Sequence, residues 1–151
     1  MPDCFICKKH RSEISTKAGW IYGDEHLQVF HRPLLGQEKK VYLGYLMIEP
    51  NRHIQGLDEL EDIEAQAVGV MQARLSRILK RELKAEHVYS FVIGNHVPHL
   101  HIHIVPRYPG APREYWGVRI DEWPDAPRGG QAEIMTICEK LRESLILENK
   151  S

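Results

Sequence analysis

No stretch of this 151-residue chain is apolar for long enough to span a bilayer, and its start, Met1-Pro2-Asp3-Cys4, lacks the charged-then-apolar pattern of a secretory signal. Both absences predict a cytoplasmic protein with no membrane partner. Neither sign of charge is in excess, since 20 Lys and Arg face 21 Asp and Glu for a net charge of −1. That balance removes the electrostatic argument for a nucleic acid polymer as partner, although a local phosphate site needs only a few residues and would not show in the total. Cysteine is scarce too: three residues, two of them in Cys4-x-x-Cys7, fit metal or redox chemistry in a reducing compartment better than a disulfide framework. Internal repeats and low-complexity tracts are also missing. With 42% hydrophobic and 27% charged residues, the chain is expected to bury one core as a single domain.

What the sequence does have is His99-Leu100-His101-Ile102-His103-Ile104-Val105. Successive side chains of a strand point to opposite faces, so the three imidazoles line one face while Leu100, Ile102 and Ile104 bury the other. A rise of ~3.3 Å per residue spaces neighbours on one face roughly 6.6 Å apart, so one ion reaches two of these rings but strains to hold all three. The pattern therefore predicts a division of labour. Neutral imidazole is a nucleophile near pH 7 and attacks phosphorus without a separate base, which makes one of the three a candidate for that role.

Along the rest of the chain, residues 20–22 and 27–30 read as two short strands joined by a turn. The nearly all-apolar run 41–49, stopped by Pro50, reads as a central strand covered on both faces. Helical spacing of Ile63, Val68, Met71, Leu75, Ile78 and Leu79 predicts a long helix over about 60–83, laid on the sheet. Residues 87–93 read as a strand, 94–98 as the loop into the histidine strand, and 108–130 as an ordered loop that packs through Tyr115, Trp116 and Trp123. A last amphipathic helix over 131–147 carries Ile134, Ile137, Leu141 and Leu145 on one side, with Cys138 as a buried small hydrophobe. Strands before and after the long helix imply an α+β fold built on an antiparallel sheet. The spacing of Cys4-x-x-Cys7 lets two thiolates share a tetrahedral zinc with two ligands from elsewhere; the competing reading is a redox pair.

The alternating motif resembles that of the histidine-triad (HIT) superfamily of nucleotide hydrolases and transferases. Cys4-Phe5-Ile6-Cys7, Ile48-Glu49-Pro50-Asn51-Arg52-His53 and Val105-Pro106-Arg107-Tyr108 resemble segments of bacterial HIT hydrolases, so the likeness runs from about Cys4 to Arg107, with a loop and helix over 108–148 beyond it. The resemblance implies a HIT-like fold, an antiparallel sheet with one long helix and a C-terminal helix, assembled as a homodimer. Likeness to the galactose-1-phosphate uridylyltransferases implies that His53 and His99 complete the ligand set of Cys4 and Cys7, giving a closed and hence structural zinc site.

The resemblance further implies that His101 is the nucleophile, attacking the α-phosphorus of a purine nucleotide in a dinucleoside polyphosphate or nucleoside phosphoramidate. His103 would hydrogen-bond the phosphate oxygens or help protonate the leaving group. Asn95 and His96 fall in the loop that presents polar groups to phosphate, with a plain turn residue as the alternative for Asn95. His31 aligns with a ribose-binding Asp or Asn but departs from that type, so a strand-end histidine without a role is its alternative. Many relatives also carry Gly-His where this chain has Gly44-Tyr45, and a tyrosine donates a hydrogen bond but carries no proton at neutral pH. Transferases of this type more often replace the third histidine with Gln, so His103 favours hydrolysis over a nucleotidyltransferase or phosphorylase. A nucleotide-binding protein with little turnover is the third reading.

Overall fold

The computed structural model describes residues 4–14 and 19–149; Met1-Pro2-Asp3, read above for signal character, lies outside them. The order is α1 (Phe5–His10), β1 (Trp20–Gly23), β2 (Leu27–His31), β3 (Val41–Tyr42), β4 (Leu46–Pro50), α2 (Asp62–Leu83), β5 (His87–Phe91), β6 (Ile102–Arg107), β7 (Arg128–Gly129) and α3 (Gln131–Asn149). Five strands form one sheet in the order β1-β2-β4-β6-β5, every pairing antiparallel, while β3 and β7 pair apart. The α+β architecture is the one the sequence implies. No helix among the described residues is long and apolar enough to cross a membrane.

The pleat divides the sheet into two unlike faces. Val29, Leu46, Ile48, Ile102 and Ile104 meet Val68, Met71, Leu75, Ile78 and Leu79 of α2 and Ile134, Cys138, Leu141 and Leu145 of α3 in one core. The alternate residues Phe30, Met47, Glu49 and His103 turn to the other face, because Met47 lies opposite both Phe30 and His103 in register. Part of that second face is roofed by the segment after β6, through Tyr108, Ile120, Trp123 and Ala126 packed on Tyr42, Tyr45 and Val105.

The histidine strand begins only at Ile102, leaving His99 and His101 in the segment before it, and the expected loop over 108–130 carries β7; further elements also differ from the sequence reading. The expected strand over 41–49 is broken, since Gly44 takes a φ of +83° and sends β3 away from the sheet to pair with β7. A Cβ there would lie 2.7 Å from the Tyr108 hydroxyl and 2.9 Å from Pro106, so the turn requires glycine. The long helix starts at Asp62, and Ile63 is 56% exposed rather than part of the apolar stripe. Its neighbour Glu64, about 100° round the helix, turns inward to Arg52 at 2.7 Å and leaves Ile63 facing water. Finally, α1 was not foreseen, although Cys4 at its N-cap and Lys8, Lys9 and His10 in its last turn are the signals of a short helix.

Candidate active site and metal centre

Cys4 and Cys7 sit at the N-terminus of α1, where the Cys7 N–H reaches the Cys4 sulfur at 3.5 Å. His53, from the loop after β4, places Nδ1 3.3 Å from the Cys7 sulfur. His99, just before β6, places Nδ1 3.4 Å from Cys7 and 3.6 Å from Cys4. Tetrahedral zinc with bonds of ~2.3 Å to sulfur and ~2.05 Å to nitrogen needs S···N edges of roughly 3.5 Å. The four ligand atoms lie within 4.8 Å of one another, so they fit one such ion. The ring protons fit as well: His99 donates from Nε2 to the Pro50 carbonyl at 2.7 Å, which leaves the Nδ1 lone pair for metal. Without a cation, burial and the neighbouring Cys4 push the Cys7 thiol above its ordinary pKa, and burial lowers that of His99; a divalent ion offsets the first by stabilising the thiolate. Cys4, Cys7, His53 and His99 thus make a closed zinc site, structural in kind because protein fills all four positions. The redox reading loses ground to two imidazoles aimed at the same point as the thiols.

The metal-bearing helix is clamped to the sheet by a second cluster. Lys9 and Glu49, both all but fully buried, pair at 2.6 Å, and His10 donates to the other Glu49 oxygen at 3.0 Å while stacking on Phe30. Removing one member of such a buried pair costs about 3–5 kcal/mol, because the other charge is left without water or partner. Sequence reasoning gave Lys9, His10 and Glu49 no role. Only the fold brings residues 40 positions apart into contact.

His101 follows His99 by two residues and is half-buried. Its Nδ1 lies 2.8 Å from the His99 carbonyl, and since a carbonyl only accepts, that nitrogen carries the proton. That fixes the tautomer of the neutral ring, with the lone pair on Nε2. His103, on β6, stacks on Phe91 with ring centres 4.9 Å apart and meets the Tyr45 hydroxyl at Nδ1, 2.7 Å away. Burial, aided by His101 nearby, pulls the His103 pKa down to about 4, while burial pushes that of Tyr45 up. With the ring neutral and the phenol protonated, Tyr45 donates to Nδ1 and His103 keeps a proton on Nε2. The tyrosine in place of the family histidine therefore fixes the third ring rather than relaying a proton.

His101, His103 and Tyr45 open onto a cavity of about 510 Å³ whose other walls include Phe5 and Ile6 of α1, Arg32, Pro33 and Leu35 after β2, and His96 and Val97 before the triad. Of the expected contacts, His96 lines this cavity. Asn95 is exposed on the same loop and is not among the lining residues. His31 does not reach it either. The register pairs His31 with Leu46 on the helix-facing side, so the ring is 0% exposed, donates from Nδ1 to the Arg32 carbonyl at 2.8 Å and accepts from the Gly44 N–H at 2.9 Å. Both nitrogens are spent on backbone, which corrects the expectation that His31 meets substrate. Tyr115 and Trp116 also stay out of the cavity: Tyr115 packs on the aromatic cluster and Trp116 stacks on the Arg107 guanidinium at 3.6 Å. Arg32, Phe5 and Ile6 were missed, and no sequence signal marks them.

This fold has known counterparts. The HIT domain family model matches residues 16–110, so the chain belongs to the HIT family. It is 28% identical over 111 residues to an uncharacterized HIT-like protein of Methanocaldococcus jannaschii, covering 71% of this chain and 81% of that protein. Its fold matches a Zn-bound histidine triad family protein from Mycobacterium smegmatis with a TM-score of 0.71 at 17% identity, over 99% of this chain and 97% of that one. A hypothetical histidine triad nucleotide-binding protein from Sulfolobus tokodaii also matches with a TM-score of 0.71, at 21% identity over 95% and 92% of the two chains.

Proposed function

We propose that this protein is a nucleotide hydrolase that cleaves dinucleoside polyphosphates or nucleoside phosphoramidates through a covalent intermediate on His101. The observation that carries this reading is the His99 carbonyl on Nδ1 of His101, which puts the lone pair of the neutral ring on Nε2, in a ring that lines the cavity. In the first step the Nε2 lone pair attacks the α-phosphorus, an N–P bond forms, and the bond from phosphorus to the leaving group breaks with its electron pair on that group, which, when it is an amine, takes a proton from solvent as it leaves. In the second, a water oxygen attacks phosphorus, the N–P bond breaks back onto Nε2, and the water proton leaves to solvent with release of the nucleoside monophosphate. Two displacements replace one slow attack by water.

His103 acts here as a hydrogen-bond donor to the phosphate oxygens from Nε2, not as an acid, because a ring with a pKa near 4 holds no spare proton at neutral pH. His96 is a further phosphate contact from the cavity wall. The apolar remainder, with Phe5, Ile6, Leu35 and Val97, suits a nucleobase. The homodimer belongs to the same reading: among the described residues β5 ends the sheet with one edge unpaired, and Val92 and Ile93 stand exposed just beyond it. So does a cytoplasmic location.

The test is turnover of diadenosine tetraphosphate and adenosine 5′-phosphoramidate by wild type and His101→Ala. Wild type releases AMP from at least one of them, and the variant loses at least about 10³-fold in kcat, as expected for loss of a nucleophile. Equal rates in the two proteins would remove the assignment. A rate that depends on added inorganic phosphate would point to the phosphorylase instead.

A further inference from the structure

Arg32 stands one residue past the end of β2, where its backbone N–H donates to the Tyr45 carbonyl at 2.8 Å, and its side chain lines the same cavity as Tyr45, His101 and His103. Among the described residues lining that cavity it is the one with a permanent positive charge. Its guanidinium is held by Glu38, NH2 to Oε2 at 3.1 Å and NH1 to Oε1 at 3.4 Å, with the two side chains 31% and 38% exposed. A pair so open to water is weak. A polyphosphate carries several charges and offers oxygens that match two parallel N–H donors, so it competes with Glu38 for the guanidinium.

We propose that Arg32 is a specificity-determining residue that binds a second phosphate, beyond the one attacked at His101, and thereby selects nucleotides with a polyphosphate leaving group over phosphoramidates. Glu38 holds the guanidinium until that phosphate displaces it. The proposal deepens the hydrolase reading and rests on it for turnover. It agrees with the chemistry of the histidines: a phosphate leaving group departs as a stable oxyanion, whereas an amine must first gain a proton, and His103 is set to donate a hydrogen bond only.

The experiment measures binding of adenosine mono- and triphosphate by calorimetry in magnesium-free buffer, using the zinc-loaded full chain as wild type, Arg32→Gln and Glu38→Gln. KM and kcat for diadenosine tetraphosphate and adenosine 5′-phosphoramidate are measured alongside. Arg32→Gln is expected to lose about tenfold in triphosphate affinity and to change monophosphate affinity by less than about twofold, the effect of one charge-assisted contact. Glu38→Gln shifts triphosphate binding the other way, and Arg32→Lys recovers part of it as a point charge without the fork. In turnover, the Arg32→Gln KM rises for the tetraphosphate alone, with kcat held. Equal loss for both nucleotides would assign Arg32 to the nucleoside or to the cavity wall, and no loss for either would remove it from the site; either result overturns the proposal. A binding preference that survives without any turnover sinks the hydrolase reading and leaves Arg32 standing, whereas turnover with unchanged KM sinks Arg32 alone.

Discussion

At the scale of single residues, two strand histidines meet opposite fates, and strand parity decides which. His103 faces the cavity; His31 faces the helices and is locked by the Arg32 carbonyl and the Gly44 N–H. Burial lowers the His31 pKa to about 4, against about 6.5 in an unfolded chain. The unfolded state then binds the extra proton between those values, so stability falls as pH is lowered from 6.5 towards 4, by on the order of 3 kcal/mol for this side chain. His103, lowered to about 4 by the same cause, adds to the slope. Urea unfolding of wild type and His31→Gln across that window is expected to show a shallower pH dependence in the variant; identical slopes would mean the buried ring does not resist protonation. The triad was legible in sequence as a motif, but only His103 lies in β6; His99 and His101 precede the strand, so the shared face that alternation implied does not hold for all three. Arg32 was not legible, because it lies past the last residue of β2, where no pleat dictates its direction.

At the scale of elements, α1 ties the metal to the cavity. The same six-residue helix carries the Cys7 ligand and presents Phe5 and Ile6 to the cavity, while His99 gives its ring to the metal cluster and its carbonyl to His101. A helix this short has no stability of its own and depends on what it packs against. The Lys9–Glu49 pair and the zinc ligands hold it from two ends. A Cys4→Ser, Cys7→Ser protein is therefore expected to lose the one zinc per chain, a substantial part of its thermal stability and several-fold in AMP affinity. Atomic absorption, a melting curve and calorimetry check the three. A zinc-free variant that melts and binds AMP like wild type would separate the metal from the cavity. The long helices and the β1–β2 hairpin were readable from periodicity. By contrast α1, only six residues long, and the break at Gly44, set by crowding against Tyr108 and Pro106, were hidden because their causes are contacts distant in sequence.

On the scale of the whole molecule, the sheet works as a partition. Its helix-covered face supplies the stable core, and its second face is roofed in part by the aromatic segment 108–127, leaving the cavity where α1, β4 and the triad meet. The two histidines at the covalent step are thus held by rigid structure: His101 by a backbone carbonyl, His103 by Tyr45 and Phe91. That rigidity makes the covalent step the most exposed part of the account. Mixing the zinc-loaded protein with diadenosine tetraphosphate, quenching in alkali, where an N–P bond survives, and weighing the chain and its peptides by mass spectrometry tests it directly. The account predicts one adenylyl group on His101, absent from His101→Ala. AMP formation with no adenylylated peptide at any quench time, or the adduct on another residue, would contradict it.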